Sequence, residues 1–224
     1  MEFLGGLLAG NAEKFPDRIA AIHGENTMTY RQLNQEADRL ANSMRRAGLK
    51  KGGRAALLMK GGIEWLLAFY ACQKLGVGLA LIHLRLLPEE MLRMVALTGA
   101  DTLICSTEYM PQAEYIAEHS GRDFRMIVQG GKKNAPEGAD TFEDLMRGED
   151  CSDAQAGMTG DEESIILFTS GTTSAAKGVV RTQRMMAAYA SVLAGEEQLG
   201  DGDTMLTPAP LYHATGICCV VKML

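Results

Sequence analysis

Apolar positions along the chain alternate between a helical and an extended period. Leu33, Ala37, Leu40, Ala41 and Met44 recur at the spacing of one helix face, which predicts an amphipathic helix. Thr29 with Gln32 three residues later supplies a capping box at its start, and Gly48 marks its end. After a turn at Lys50–Gly53, the run Ala55–Met59 predicts a short buried strand, Ile63–Leu75 a helix that stops at Gly76, and Val77–Ile82 the next strand. Pro88 stands where a first helical turn tolerates it, and Met91, Met94, Val95 and Thr98 form a stripe before a strand at Thr102–Cys105. Tyr109–His119 then reads as helix and Arg125–Val128 as strand.

Repeated β–α alternation needs crossover helices between parallel strands. The predicted fold class is therefore α/β, a mostly parallel sheet with helices on both faces. Gly130–Gly138 and the polar, acidic Gly148–Gly160 read as surface loops. Gly148–Gly160 has the character of a linker between subregions of about 1–150 and 161–224, and beyond it Ser164–Phe168 is a strongly apolar strand.

Composition narrows the function classes. With 46% hydrophobic residues among 224, the chain can fill a sizeable core, which argues against disorder. Twenty-eight acidic against 22 basic residues, with no basic block, leave no electrostatic footprint for nucleic acid. Five cysteines without a C-x-x-C pair suggest buried thiols and neither a disulfide framework nor a zinc cage. The N-terminus lacks a basic export region, and the apolar runs Trp65–Cys72 and Leu75–Ile82 fall short of the ~20 residues that span a bilayer. A cytoplasmic protein without a transmembrane segment is expected; oligomeric state is not readable.

The segment of unusual composition is Thr169-Ser170-Gly171-Thr172-Thr173-Ser174-Ala175-Ala176-Lys177-Gly178, with five hydroxyl side chains in its first six residues and one lysine before a glycine. Glycine lets backbone approach an anion, clustered N–H and O–H donors bind phosphate oxygens, and lysine adds a mobile positive charge. A polar surface turn has the same residue types. A Walker A loop does not fit: Ala176 precedes the lysine where glycine is needed, and Gly178 follows it where a magnesium-binding Ser or Thr is needed. Val179-Val180-Arg181 reads as extended, so the loop should join two strands.

At these residues the sequence resembles the adenylate-forming (AMP-binding) enzymes, which include acyl- and aryl-CoA synthetases, luciferases and the adenylation domains of peptide synthetases. Ile166 to Thr173 followed by Lys177-Gly178-Val179 is similar to their phosphate-binding signature. In order along the chain, Met28-Thr29-Tyr30, Gly48 to Gly52, Lys74-Leu75-Gly76, Leu84-Arg85-Leu86 and Pro210-Leu211-Tyr212-His213 with Gly216 match as well.

The resemblance implies an acid:CoA ligase: attack of a small carboxylic acid on ATP to give acyl-AMP, then transfer to coenzyme A. Thr169, Ser170, Gly171, Thr172, Thr173, Lys177 and Gly178 would bind the phosphates with Mg²⁺ sharing the charge, Lys177 as the ion-pairing catalytic residue. No protein ligand set for a metal is expected. A histidine beside an aromatic residue at a strand end is ordinarily structural, but the Pro-Leu-Tyr-His pattern makes His213 a residue shaping the carboxylate pocket. His23, His83 and His119 are read as structural.

Two departures stand out. Ser174 and Ala176 replace the family's usual Gly and Pro, which should weaken ATP positioning. The family's aromatic-Gly-x-Thr-Glu motif and its C-terminal domain with a catalytic lysine do not follow Gly216. The chain thus reads as an incomplete N-terminal AMP-binding domain, inactive alone, with apolar surface open at Ile217–Val221. The alternative is a non-catalytic nucleotide-binding or interaction module.

Overall fold

A computed structural model describes residues 3–155, 157–169, 177–200 and 202–223. Its centre is a seven-stranded sheet. Strands β3 (Arg54–Leu58), β4 (Gly78–Leu81), β5 (Thr102–Ser106), β6 (Arg125–Gln129), β7 (Asp140–Thr141), β8 (Glu163–Thr169) and β9 (Lys177–Thr182) lie in the order β7-β6-β5-β3-β4-β8-β9. Every pair is parallel except β8 with β9. This is the mostly parallel α/β sheet expected from the alternation.

Successive strand residues face opposite ways, and the core splits accordingly. Ala55, Leu57, Leu79, Leu81, Ile104 and Ile165 belong to one cluster with α1 (Leu4–Lys14), α2 (Tyr30–Arg46) and α3 (Ile63–Leu75). Ala56, Leu58, Ala80, Leu103, Cys105 and Ile166 belong to a second, with α4 (Pro88–Thr98) and α5 (Met110–His119). Helix α3 is covered on both sides, which is why its apolar residues do not alternate with polar ones; Trp65 and Phe69 stack within it at 5.2 Å. The capping box is present at Thr29, and α3 ends at Gly76 with φ 68°, a left-handed cap that glycine adopts without strain.

Several elements carry no clear sequence pattern. The hairpin of β1 (Ile19–His23) and β2 (Asn26–Thr29) leaves Ile19 and Ile22 exposed. Helix α1 contains Gly5 because a Cβ there would sit 2.8 Å from Gln155 Oε1 and 3.0 Å from Lys74 Cγ. The short α6 (Phe142–Met146) packs on α2, and α7 (Gln183–Glu196) buries Met186, Ala187 and Ala190 while exposing Met185, Tyr189 and Val192. The expected exposure of Ile217–Val221 is corrected: these residues lie in α8 (Ala214–Val221), with Ile217 and Val221 at 1% and 0% exposure because the helix turns that face into the first core cluster.

Two buried polar assemblies tie distant parts together. Lys74 Nζ lies 3.0 Å from Asp38 Oδ1, both side chains being essentially inaccessible, and Asp38 also accepts from Ala154 N. Burial pushes the Asp38 carboxyl up and the Lys74 ammonium down, and each charge opposes that shift in the other. Asn42 Nδ2 donates to Ser152 O at 2.8 Å, so the segment around 150–155 is fastened along α2. In the second assembly Gln183 Nε2 donates to Gln73 Oε1 and O, Ser164 Oγ donates to Gln73 Oε1, and Leu4 N donates to Gln183 Oε1. It joins α1, α3, β8 and α7.

The entry to β8 is anchored by charge. Arg54 grips Glu163 with two hydrogen bonds, and Lys51 meets Glu162 at 2.6 Å. Burial would raise the Glu162 carboxyl, but Lys51 and the donors of Thr159 outweigh it and hold it at about 2. A depressed carboxylate stabilises the fold above its ordinary value of 4.5 and loses that contribution as pH falls through about 2. Thermal melts of Glu162→Gln should therefore lie below wild type at neutral pH and converge with it between pH 4.5 and 2; parallel curves would show that Glu162 is not the titrating group.

Candidate functional site

In open α/β sheets ligands bind beyond the carboxyl ends of the strands. At that edge β8 and β9 form an antiparallel hairpin with Phe168 opposite Gly178 and Thr169 opposite Lys177, closing the connection formed by residues 170–176. This is the strand-to-strand connection that the extended Val179–Arg181 calls for, and it differs from a phosphate loop that opens a helix. Lys177 is exposed at the start of β9, and Gly178 follows it, where a Cβ would lie 3.2 Å from Ile166 Cγ2. Ser170, Gly171, Thr172 and Thr173 lie outside the described residues, and Thr169 is described by its backbone alone.

His213 is not at a strand end. It is the N-cap residue of α8, since Ile217 N donates to its carbonyl at 3.0 Å, while its own N–H donates to Pro210 O. The Pro210–His213 turn is folded hard against the first turn of α8: a Cβ on Gly216 would collide with Pro210 O and lie 2.6 Å from Pro210 C. Only glycine permits that approach. Tyr212 packs against both core clusters, which fixes the turn at the sheet edge.

The structure brings a further histidine here. His83 lies two residues beyond the carboxyl end of β4; its ring lies 5.0 Å from Tyr212 and 6.0 Å from His213, edge-on to the latter. Because β4 neighbours β8, the two histidines stand one strand away from the strand that enters the hydroxyl-rich connection. Lys60 and Glu108, beyond β3 and β5, form an exposed ion pair on the same edge. His119, by contrast, stacks on Tyr115 at 4.0 Å on the surface. Sequence spacing could not pair His83 with His213; only the strand order does so.

An open apolar groove of about 480 Å³ lies on the other side of the 203–211 segment, between β1 and the start of α3, and contains neither Lys177 nor His213. Among the described residues no three His, Cys, Asp or Glu side chains converge to hold a metal, and no helix is long and apolar enough to cross a membrane.

The mostly parallel sheet, closed at one side by the β8–β9 hairpin and bordered by the glycine-fitted His213 turn, defines an α/β domain. The chain belongs to the AMP-binding enzyme family, whose model matches residues 8–224. The long-chain-fatty-acid–CoA ligase FadD13 of Mycobacterium tuberculosis is 30% identical over 99% of this chain and 43% of its own length. The 2-succinylbenzoate–CoA ligase of Bacillus licheniformis is 30% identical over 96% of this chain and 41% of its own. Among solved structures, the N-terminal domain of FACL13 from M. tuberculosis superposes with a TM-score of 0.81 at 25% identity, covering 99% of this chain and 54% of that one. A long-chain-fatty-acid-CoA ligase from Archaeoglobus fulgidus has the same fold, with a TM-score of 0.87 at 21% identity over 98% of this chain and 44% of that one. The chain thus spans less than half the length of the curated relatives it matches.

Proposed function

We propose that this chain supplies the phosphate-binding and part of the acid-binding half of an AMP-forming acid:CoA ligase. The observation that carries this reading is the β8–β9 hairpin closed at Thr169 and Lys177, in a chain of the AMP-binding family. A carboxylate oxygen attacks the α-phosphorus of ATP, the bond to pyrophosphate breaks, and the acyl-adenylate is then captured by the thiol of coenzyme A with release of AMP. Residues 169–178 bind the departing phosphates, and the exposed Lys177 offsets their charge by electrostatic positioning. His213 borders the acid. Mg²⁺, when bound with the triphosphate, would share the phosphate charge with Lys177. A reaction that draws on ATP and coenzyme A suits the cytoplasm.

Holding acid and nucleotide in near-attack geometry can contribute up to ~7–11 kcal/mol, and this chain spans 43% of its FadD13 relative. The 224 residues alone should therefore yield no acyl-AMP when incubated with ATP, Mg²⁺ and a panel of acids under mass-spectrometric detection. In the full-length enzyme Lys177→Ala should slow ATP–pyrophosphate exchange at subsaturating ATP about tenfold or more, with an unchanged melting temperature. Exchange at the wild-type rate would remove the phosphate role.

A further inference from the structure

We infer that His83 is a positioning residue of the acid pocket: its ring is set between the end of β4 and the Tyr212–His213 turn, and it holds His213 in one orientation. The inference rests on the proposed role of His213. Three observations carry it. The ring meets Tyr212 at 5.0 Å and 60°, and His213 at 6.0 Å and 76°, the tilted and edge-on arrangements that aromatic pairs favour. The backbone around it is fixed, because its carbonyl accepts from Leu86 N as the chain turns toward α4. Finally, Nδ1 is shut off from water and has no hydrogen-bond partner among the described residues.

The orphaned Nδ1 decides the chemistry of the ring. A proton on Nδ1 would leave a buried N–H with nothing among the described residues to donate to, so neutral His83 carries its proton on Nε2. Protonating the other nitrogen would create that same unmatched donor, and would do so beside His213 and Arg85. Burial, then the charges of His213 and Arg85, lower the proton affinity of His83 in the same direction. The remaining ionisable groups at this edge do not reverse it. Tyr109 is pushed up by burial, and Lys60 and Glu108 neutralise one another. His83 therefore stays uncharged at this edge, where a carboxylate would be received, and offers His213 a neutral ring face.

Long-range ¹H–¹⁵N spectra of the 224-residue chain, which has four histidines, test this without any enzymatic turnover. His83 should show the Nε2–H tautomer and titrate below the ordinary 6.5. An Nδ1–H tautomer, or titration at or above that value, would overturn the inference. In the full-length enzyme, His83→Phe keeps the ring and should leave KM for the acid within about twofold of wild type. His83→Ala removes the ring and should raise that KM about fivefold, the size of one aromatic contact, with KM for ATP unchanged. Wild-type acid KM in His83→Ala, or equal changes for acid and ATP, would also defeat it. If the enzyme activates no acid at all, the proposed function fails, and the spectra still decide the state of His83.

Discussion

Asp38→Ala should destabilise the domain by about 3–5 kcal/mol, the cost of leaving a buried charge without its partner. Lys74 would remain at 0% side-chain exposure with its counter-ion removed, and Ala154 N would lose its acceptor. The segment around 150–155, fastened along α2 through Asp38 and Asn42, should loosen at the same time. The double variant Asp38→Ala with Lys74→Met should recover much of the loss, because an apolar side chain of similar length has no charge to compensate. Urea unfolding of the three proteins measures this directly. Equal destabilisation of single and double variants would show that packing, and not the ion pair, holds this region.

Gly216→Ala is the other change with a large expected effect. The three nearest atoms a Cβ would meet are backbone, Pro210 O, Pro210 C at 2.6 Å and Leu211 Cα at 2.9 Å, so no rotamer can relieve the clash. The Pro210–His213 turn has to move away from α8, taking Tyr212 and His213 with it. Overpacking of this kind costs about 1–3 kcal/mol. The functional cost should be larger, since a displacement near ~1 Å in a reacting site can cost about 10²-fold in rate. ATP–pyrophosphate exchange in the full-length enzyme should therefore fall far more than the melting temperature does. A fall in stability alone, with exchange preserved, would separate His213 from the acid site.

Legibility from the sequence follows burial. Helices α2, α3 and α4 are readable closely, because Thr29, Gly76 and Pro88 carry specific end signals and the buried stripes between them are uninterrupted. Helix α7 is not: Met185 and Met186, then Tyr189 and Ala190, put apolar residues on its buried and exposed faces alike, so no single stripe emerges. The hairpin β1–β2 is hidden for a similar reason, its Ile19 and Ile22 being exposed. In the site, the composition of Thr169–Gly178 is conspicuous, whereas His83 is indistinguishable from a core histidine. Its meaning depends on β4 lying next to β8, a neighbour far along the chain.

That neighbour relation also orders the birth of the molecule. Strand β4 leaves the ribosome long before β8, yet β8 is its partner on that side. Throughout that interval Leu79 and Ala80 border a bare parallel edge, a template for mispairing. The segment around 150–155 is synthesised just ahead of β8 and is tied to α2 through Asp38 and Asn42. Once laid down, it shortens the loop that β8 must close to reach β4, converting a distant encounter into a local one. On this account the contacts of Asp38 and Asn42 would guide the completion of the sheet as well as clamp the finished fold.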